Sequence, residues 1–246
     1  MPGMKRFCLL IAAVGLLGGV VAPAAASAAV VELGATSTPL VAPSCPAGVT
    51  PANCTIILTQ VTALETIRDG IAYPTTVKKA GSIVAFTVGL SQLSSNRATA
   101  RSDIHFLDQT YGGTTRAAIT VLRPKGAKKL RHWTVVAESP VFHLQPYLGQ
   151  VVQFPLPESL PVQPGDTVAL TIPTWAPVLS IQLPSKKFAY RQSRSRNCSK
   201  PPATSQAQAV KQVATYKCDY PGTRVEYSAT EITAPVAANP IHGPRR

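Results

Sequence analysis

Residues 83–90 read Ile-Val-Ala-Phe-Thr-Val-Gly-Leu, and this stretch decides the fold class. Val84, Phe86, Val88 and Leu90 recur at every second position, the period of a strand with one face turned inward; a helix repeats its apolar positions every three or four residues. Outward from there, short apolar runs rich in Val and Thr follow at 55–61, 117–123, 132–138, 151–154, 167–172, 178–183, 188–191 and 223–230, which makes about nine strands. Val225 and Tyr227 again share one face of their run. Pro164-Gly165-Asp166 forms a tight turn before the run at 167, because proline presets its backbone angle and glycine accepts the positive one. Only residues 206–214 have helix-forming composition. The expected fold is an all-β antiparallel sandwich of the jelly-roll kind.

The chain opens as a secretory leader: Lys5 and Arg6, then an apolar stretch at 9–21, then small residues at 24–29, with cleavage expected between Ala26 and Val30. Gly15, Gly18, Gly19 and Pro23 interrupt the apolar stretch, which falls short of the roughly 20 residues a spanning helix needs. Cys8 stands at its beginning rather than at the cleavage point, so no lipid anchor is expected. The resulting division is a leader at 1–29, an Ala/Pro-rich segment at 30–54 that reads as loose, a sandwich at 55–233 and a flexible tail at 234–246.

Four cysteines remain in the exported part, Cys45, Cys54, Cys198 and Cys218, an even number in an oxidising compartment. They allow three pairings. Proximity along the chain favours Cys45 with Cys54 and Cys198 with Cys218, closing loops worth about 2.7 and 3.3 kcal/mol in the chain-entropy view. A four-cysteine zinc site lacks the paired short spacings it would need. No metal or other cofactor is expected.

Catalytic signatures are scarce. Asp103, His105 and Asp108 form the sharpest polar cluster, since Asp103 and His105 would point the same way on a strand and serve as an acid/base pair or metal ligands. No Gly-x-Ser-x-Gly elbow, His-Glu-x-x-His helix or Ser-x-x-Lys motif accompanies them. His132, His143 and His242 stand apart with no ligand spacing, and no two carboxylates read as the facing pair a glycosidase uses. Trp175, held between Pro173 and Ala176-Pro177, reads either as a stacking platform for a sugar ring or as a lid over the core; Tyr190 and Trp133 would extend such a platform, although Trp133 alternates with Val135 as a core residue would.

Charge says more. Only Lys5 and Arg6 leave with the leader, so 22 of the 24 basic side chains stay against 11 acidic ones, a net charge of +11. Two clusters concentrate it. One holds Arg123, Lys125, Lys128, Lys129 and Arg131; the other holds Lys186, Lys187, Arg191, Arg194, Arg196 and Lys200. Such density attracts anions at long range, in a salt-sensitive way.

Several of these stretches occur together in one family. Tyr111-Gly112-Gly113 precedes the strand at 118–124; Pro161-Val162-Gln163-Pro164-Gly165-Asp166 precedes Thr171-Ile172-Pro173-Thr174-Trp175-Ala176-Pro177. Tyr190-Arg191-Gln192-Ser193-Arg194 leads to Asn197-Cys198, and Tyr216-Lys217-Cys218 to the closing strand at 224–229. In this set, spread over residues 56–232, the chain resembles an uncharacterised family of secreted β-sandwich proteins from high-GC, actinobacterial lineages. The resemblance implies a similar sandwich and an exported life, and brings no substrate or catalytic residue with it.

The expected function is therefore that of a non-enzymatic, secreted or cell-envelope sandwich. It would bind an anionic polymer or polysaccharide surface through Lys186, Lys187, Arg191, Arg194, Arg196 and Lys200, helped by Trp175 and Tyr190. A polysaccharide hydrolase or lyase centred on Asp103 and His105, and an envelope protein that self-associates through sheet edges, are the alternatives. No sequence-specific nucleic-acid reader is expected.

Overall fold

The computed structural model describes residues 27–49, 53–126, 131–193, 198 and 209–235. Among them the chain runs through β1 (Val30–Leu33), β2 (Leu58–Arg68), β3 (Ile71–Ala72), β4 (Gly81–Gly89), α1 (Arg97–Thr110), β5 (Arg116–Pro124), β6 (His132–Glu138), β7 (Phe142–His143), β8 (Val151–Val162), β9 (Thr167–Ala176), β10 (Leu179–Ser180), β11 (Phe188–Gln192), β12 (Val213–Thr215), β13 (Cys218–Pro221), β14 (Arg224–Val225) and β15 (Tyr227–Thr233). Every ladder between these strands is antiparallel. The small sheet has the order β1-β15-β4-β8 and the large one β12-β6-β5-β9-β2-β11-β13, with β3 and β7 appended and β10-β14 as a separate pair. Ala28–Pro235 forms one compact unit, an antiparallel, disulfide-stapled sandwich.

The stretch that decides the fold is a strand with a correction inside it. Ala85 pairs with Thr230 while Ile83 pairs with Glu231, so Val84 has no partner on β15 and forms a bulge. One extra residue reverses the alternation. Ile83, Phe86, Val88 and Leu90 are fully buried, and Val84 is only half-buried instead of sharing their face. The small sheet's inner face carries Phe86 against Phe154 and Phe142, each with ring centroids 5.2 Å apart. Val61, Ile119, Val121, Val168, Leu170 and Ile172 from the large sheet complete the main core.

The large sheet curls until its edges meet. β12 pairs with β6 at one edge and β13 with β11 at the other, yet only Tyr216 and Lys217 separate β12 from β13. Two residues span at most about 7 Å per pair, far less than the width of seven flat strands, so the sheet must close on itself. The concave side encloses a second core of Leu64, Leu122, Trp133, Val135, Ala169, Ala214 and Tyr216. Beside it the hydroxyls of Thr62, Thr171 and Thr120 bridge three strands at 2.8 and 2.6 Å. Leu64, Leu122 and Ala169 each follow a main-core residue, so β2, β5 and β9 are buried on both faces.

Each of the nine expected runs overlaps a strand, 178–183 only at the two residues of β10 and 223–230 split between β14 and β15, while β2, β8 and β9 extend further than read. β1, β3, β7, β12 and β13 are additions of two to four residues, too short for alternation to show. The helix expected at 206–214 is not found where it can be seen: 206–208 lie outside the described residues, and Val213 and Ala214 belong to β12. The helix that does form, α1, begins where Asn96 Oδ1 accepts the backbone N–H groups of Ala98 and Thr99 at 2.9 and 3.1 Å. It buries only Leu107, so it lacks the apolar stripe that would betray it. Gly165 takes the positive φ the turn at 164–166 requires, and Asp166 N–H closes it on Gln163 O at 3.0 Å.

The segment before residue 55 is part of the sandwich wherever it is described. β1 adds an edge strand to β15, and residues 34–41 form a strap that buried side chains hold down. The leader and tail expected at 1–29 and 234–246 lie almost wholly outside the described residues.

Candidate functional site

Asp103 and His105 sit on α1, not on a strand. Two residues apart on a helix, their side chains point about 200° from one another, and both are exposed, so the acid/base pair is not assembled. Asp108 instead accepts a hydrogen bond from Trp175 Nε1 at 2.9 Å. Among the described residues no group of three or more His, Cys, Asp or Glu is arranged to hold a metal ion.

The aromatic platform is likewise corrected. Trp175 is the penultimate residue of β9, which continues four residues past the expected boundary, and it is 0% exposed. Tyr190, on β11, is stacked on Tyr220 with centroids 5.0 Å apart and accepts a hydrogen bond from Gln192 Nε2 at 2.8 Å. Neither ring offers a face to a ligand. Trp175 is buried with its indole N–H bonded to α1, and Trp133 is a second-core residue.

Closure of the large sheet brings Lys125 and Arg131 of the first basic cluster to one seam with Arg191 of the second. The β5–β6 hairpin carries the first: Lys125 N–H donates to His132 O, and Tyr216 N–H donates to Arg131 O at 2.6 Å. The second reaches the same place through Gln192, which pairs with Cys218 in the ladder, and through the Cys198–Cys218 disulfide. Lys125, Arg131 and Lys217 are exposed around this seam, and half-buried Arg191 lies 3.5 Å from Asp219 beside it. Lys128, Lys129, Arg194, Arg196 and Lys200 lie outside the described residues.

Lys186 and Lys187 are exposed but stand apart from the seam. They occupy the turn at the opposite end of β11, where Gly70 N–H donates to Lys187 O at 3.1 Å, about 15 Å away by strand rise. Lys217, absent from the expected set, belongs to the seam; only the pairing of β13 with β11 reveals it.

A third group was not legible in advance. Glu65, Arg68, Arg224 and Glu226 are all withdrawn from solvent. Arg68 donates to Gly34 O at 2.5 Å, to Val225 O at 2.9 Å and to Glu65 at 3.4 Å, with its guanidinium 5.7 Å from the Tyr227 ring centre. Arg224 donates to Pro39 O and Thr38 O at 3.0 and 3.1 Å and lies 3.4 Å from Glu226. Glu226 accepts from Ser180 and from Val41 N–H. Burial pushes the Glu65 carboxyl up to about 7 against the pull of Arg68, and raises Glu226 against the pull of Arg224. Their partners are the strap and one another, which makes this a fastening rather than a catalytic centre.

No protein-family model, curated protein or solved structure matches the chain. The two disulfides fit an oxidising environment, and no helix among the described residues is long and apolar enough to cross a membrane.

Proposed function

We propose that this chain is an exported, non-enzymatic sandwich, held on an anionic polymer outside the cytoplasmic membrane by the cations gathered at the seam of its large sheet. The observation that carries the reading is the meeting there of Lys125 and Arg131 of the β5–β6 hairpin with Lys217, distant from them in sequence, around a strand junction tied by a disulfide. A rigid junction holds the charges together without the entropy cost of ordering a loose loop on binding. The leader at 1–29 and kinship with secreted actinobacterial sandwiches belong to the same proposal, while Trp175 and Tyr190 leave it because they are buried.

The test is retention of the purified, disulfide-intact protein on heparin, polyglutamate and neutral dextran matrices under a salt gradient. Retention on both polyanions, elution at moderate salt and a clear loss in the Lys125→Gln/Arg131→Gln/Lys217→Gln variant support the reading. Retention unchanged in that variant, or none on either polyanion, overturns it. Lys186→Gln/Lys187→Gln, at the other end of β11, serves as the comparison and is expected to change elution less.

A further inference from the structure

The outer face of the small sheet is lined by hydroxyls around a carboxylate. Glu32 on β1 accepts hydrogen bonds from the Ser228 and Thr230 hydroxyls, the latter at 2.7 Å, and the Gln153 amide donates to Thr230 at 3.2 Å. Ser228 pairs with Thr87 and Thr87 with Gln153, so these side chains stand in one row across β15, β4 and β8. The strap closes one end of this row. Residues 34–40 rise over it and leave a cleft of about 290 Å³. Its lining includes Glu32, Thr36, Thr87 and Ser228 as polar groups and Leu40 and Val151 as apolar ones, with Arg224 as part of its wall.

Several features together point to a ligand class. The volume lies at the lower end for small-molecule clefts, enough for one ring rather than a chain. The acceptor is a half-buried carboxylate with no cation at ion-pair distance among the described residues, although bases outnumber acids two to one in this chain. The hydroxyls beside it both donate and accept. Apolar side chains supply a surface for C–H groups. An anion would be repelled by Glu32, and a wholly apolar ligand would cut the carboxylate off from water with only the Ser228 and Thr230 hydroxyls to solvate it.

We infer that this cleft binds a neutral sugar ring, with Glu32 accepting from adjacent ring hydroxyls, Thr87 and Ser228 exchanging further hydrogen bonds, and Val151 and Leu40 against its C–H face. The inference deepens the envelope-binding reading. A sugar unit of the polymer, or of a glycan next to it, would be held at a site on the small sheet, separate from the cationic seam of the large one.

Saturation-transfer NMR on the disulfide-intact protein tests it, with the methyl glycosides of glucose, galactose, mannose and arabinose, N-acetylglucosamine, and glucosamine as a cationic comparison. Transfer to at least one neutral glycoside is expected. Glu32→Gln should weaken that binding about tenfold, the scale of one charge-assisted hydrogen bond. Thr87→Tyr, which fills the cleft from the half-buried outer face of β4, should abolish it while circular dichroism and polyanion retention stay as in the parent. No transfer from any neutral glycoside, transfer to glucosamine alone, or binding undiminished in Thr87→Tyr would overturn the inference. Neutralising Lys125, Arg131 and Lys217 should leave sugar binding intact, so failure at the seam and failure at the cleft remain distinguishable.

Discussion

Phe86 and Arg68 are both withdrawn completely from solvent, yet they are held there by opposite means. Phe86 lies among Phe142, Phe154 and aliphatic side chains, where burial of apolar area supplies the stabilisation and no single contact is indispensable. Arg68 is held by a set of acceptors at fixed positions: Gly34 O, Val225 O, Glu65 and the Tyr227 ring. An apolar core tolerates changes of shape. A buried charge tolerates the loss of a partner badly, because what remains is an uncompensated ion or dipole in a medium that solvates it poorly. The charged core earns its place by direction: Arg68 and Arg224 fasten the strap to the sandwich, which apolar contacts alone would not register so closely.

The largest effect should come from breaking that fastening. Arg68→Ala takes the guanidinium from the Gly34 and Val225 carbonyls and leaves Glu65 with only the Val225 N–H, and is expected to cost about 3–5 kcal/mol in urea unfolding. A cost under about 1 kcal/mol would mean that water replaces the guanidinium and the contrast with Phe86 fails.

Next comes pH. The folded Glu65 pKa, about 7, lies above its ordinary value of 4.5, so folding favours the neutral acid. Its contribution is complete below pH 4.5 and disappears as pH rises through 7, amounting to about 3 kcal/mol. Unfolding free energy should therefore fall between pH 5 and pH 8, with Glu226 acting in the same direction, and Glu65→Gln should flatten much of that fall. An unchanged slope in Glu65→Gln would assign the pH dependence elsewhere.

Smaller still, Phe86→Leu should cost about 1–2 kcal/mol, because the surrounding rings can partly close the gap. At the surface, Lys186→Gln/Lys187→Gln should move stability by less than about 0.5 kcal/mol. If Phe86→Leu proved as costly as Arg68→Ala, the main core would be as exacting as the charged one.

The same contrast explains what could be read beforehand. The runs at 132–138 and 167–172 announce themselves because burial of apolar side chains is written into every strand that faces a core. The run at 62–68 hides its place, since Glu65 and Arg68 look like surface residues until the strap is seen to satisfy Arg68. α1 was missed because Asn96 and one buried leucine carry little periodic signal. At the candidate site, Arg191 and the first basic cluster were legible as charge, whereas Lys217 became a partner only through the ladder to β11. Trp175 misled because a proline-flanked tryptophan looks like a loop until β9 is seen to carry it inward.

By itself the sequence determined the strand class and the surplus of positive charge, and favoured the two local disulfide pairings that the structure has. All three depend on neighbours along the chain: alternation, short loop closure and composition. The tertiary structure alone decided that the large sheet closes into a curl, that a bulge at Val84 turns Ile83 inward, that the strap is fastened by buried arginines, and which cations share a seam. These depend on register between strands distant in sequence, and register is set by how side chains from many strands fill a common space.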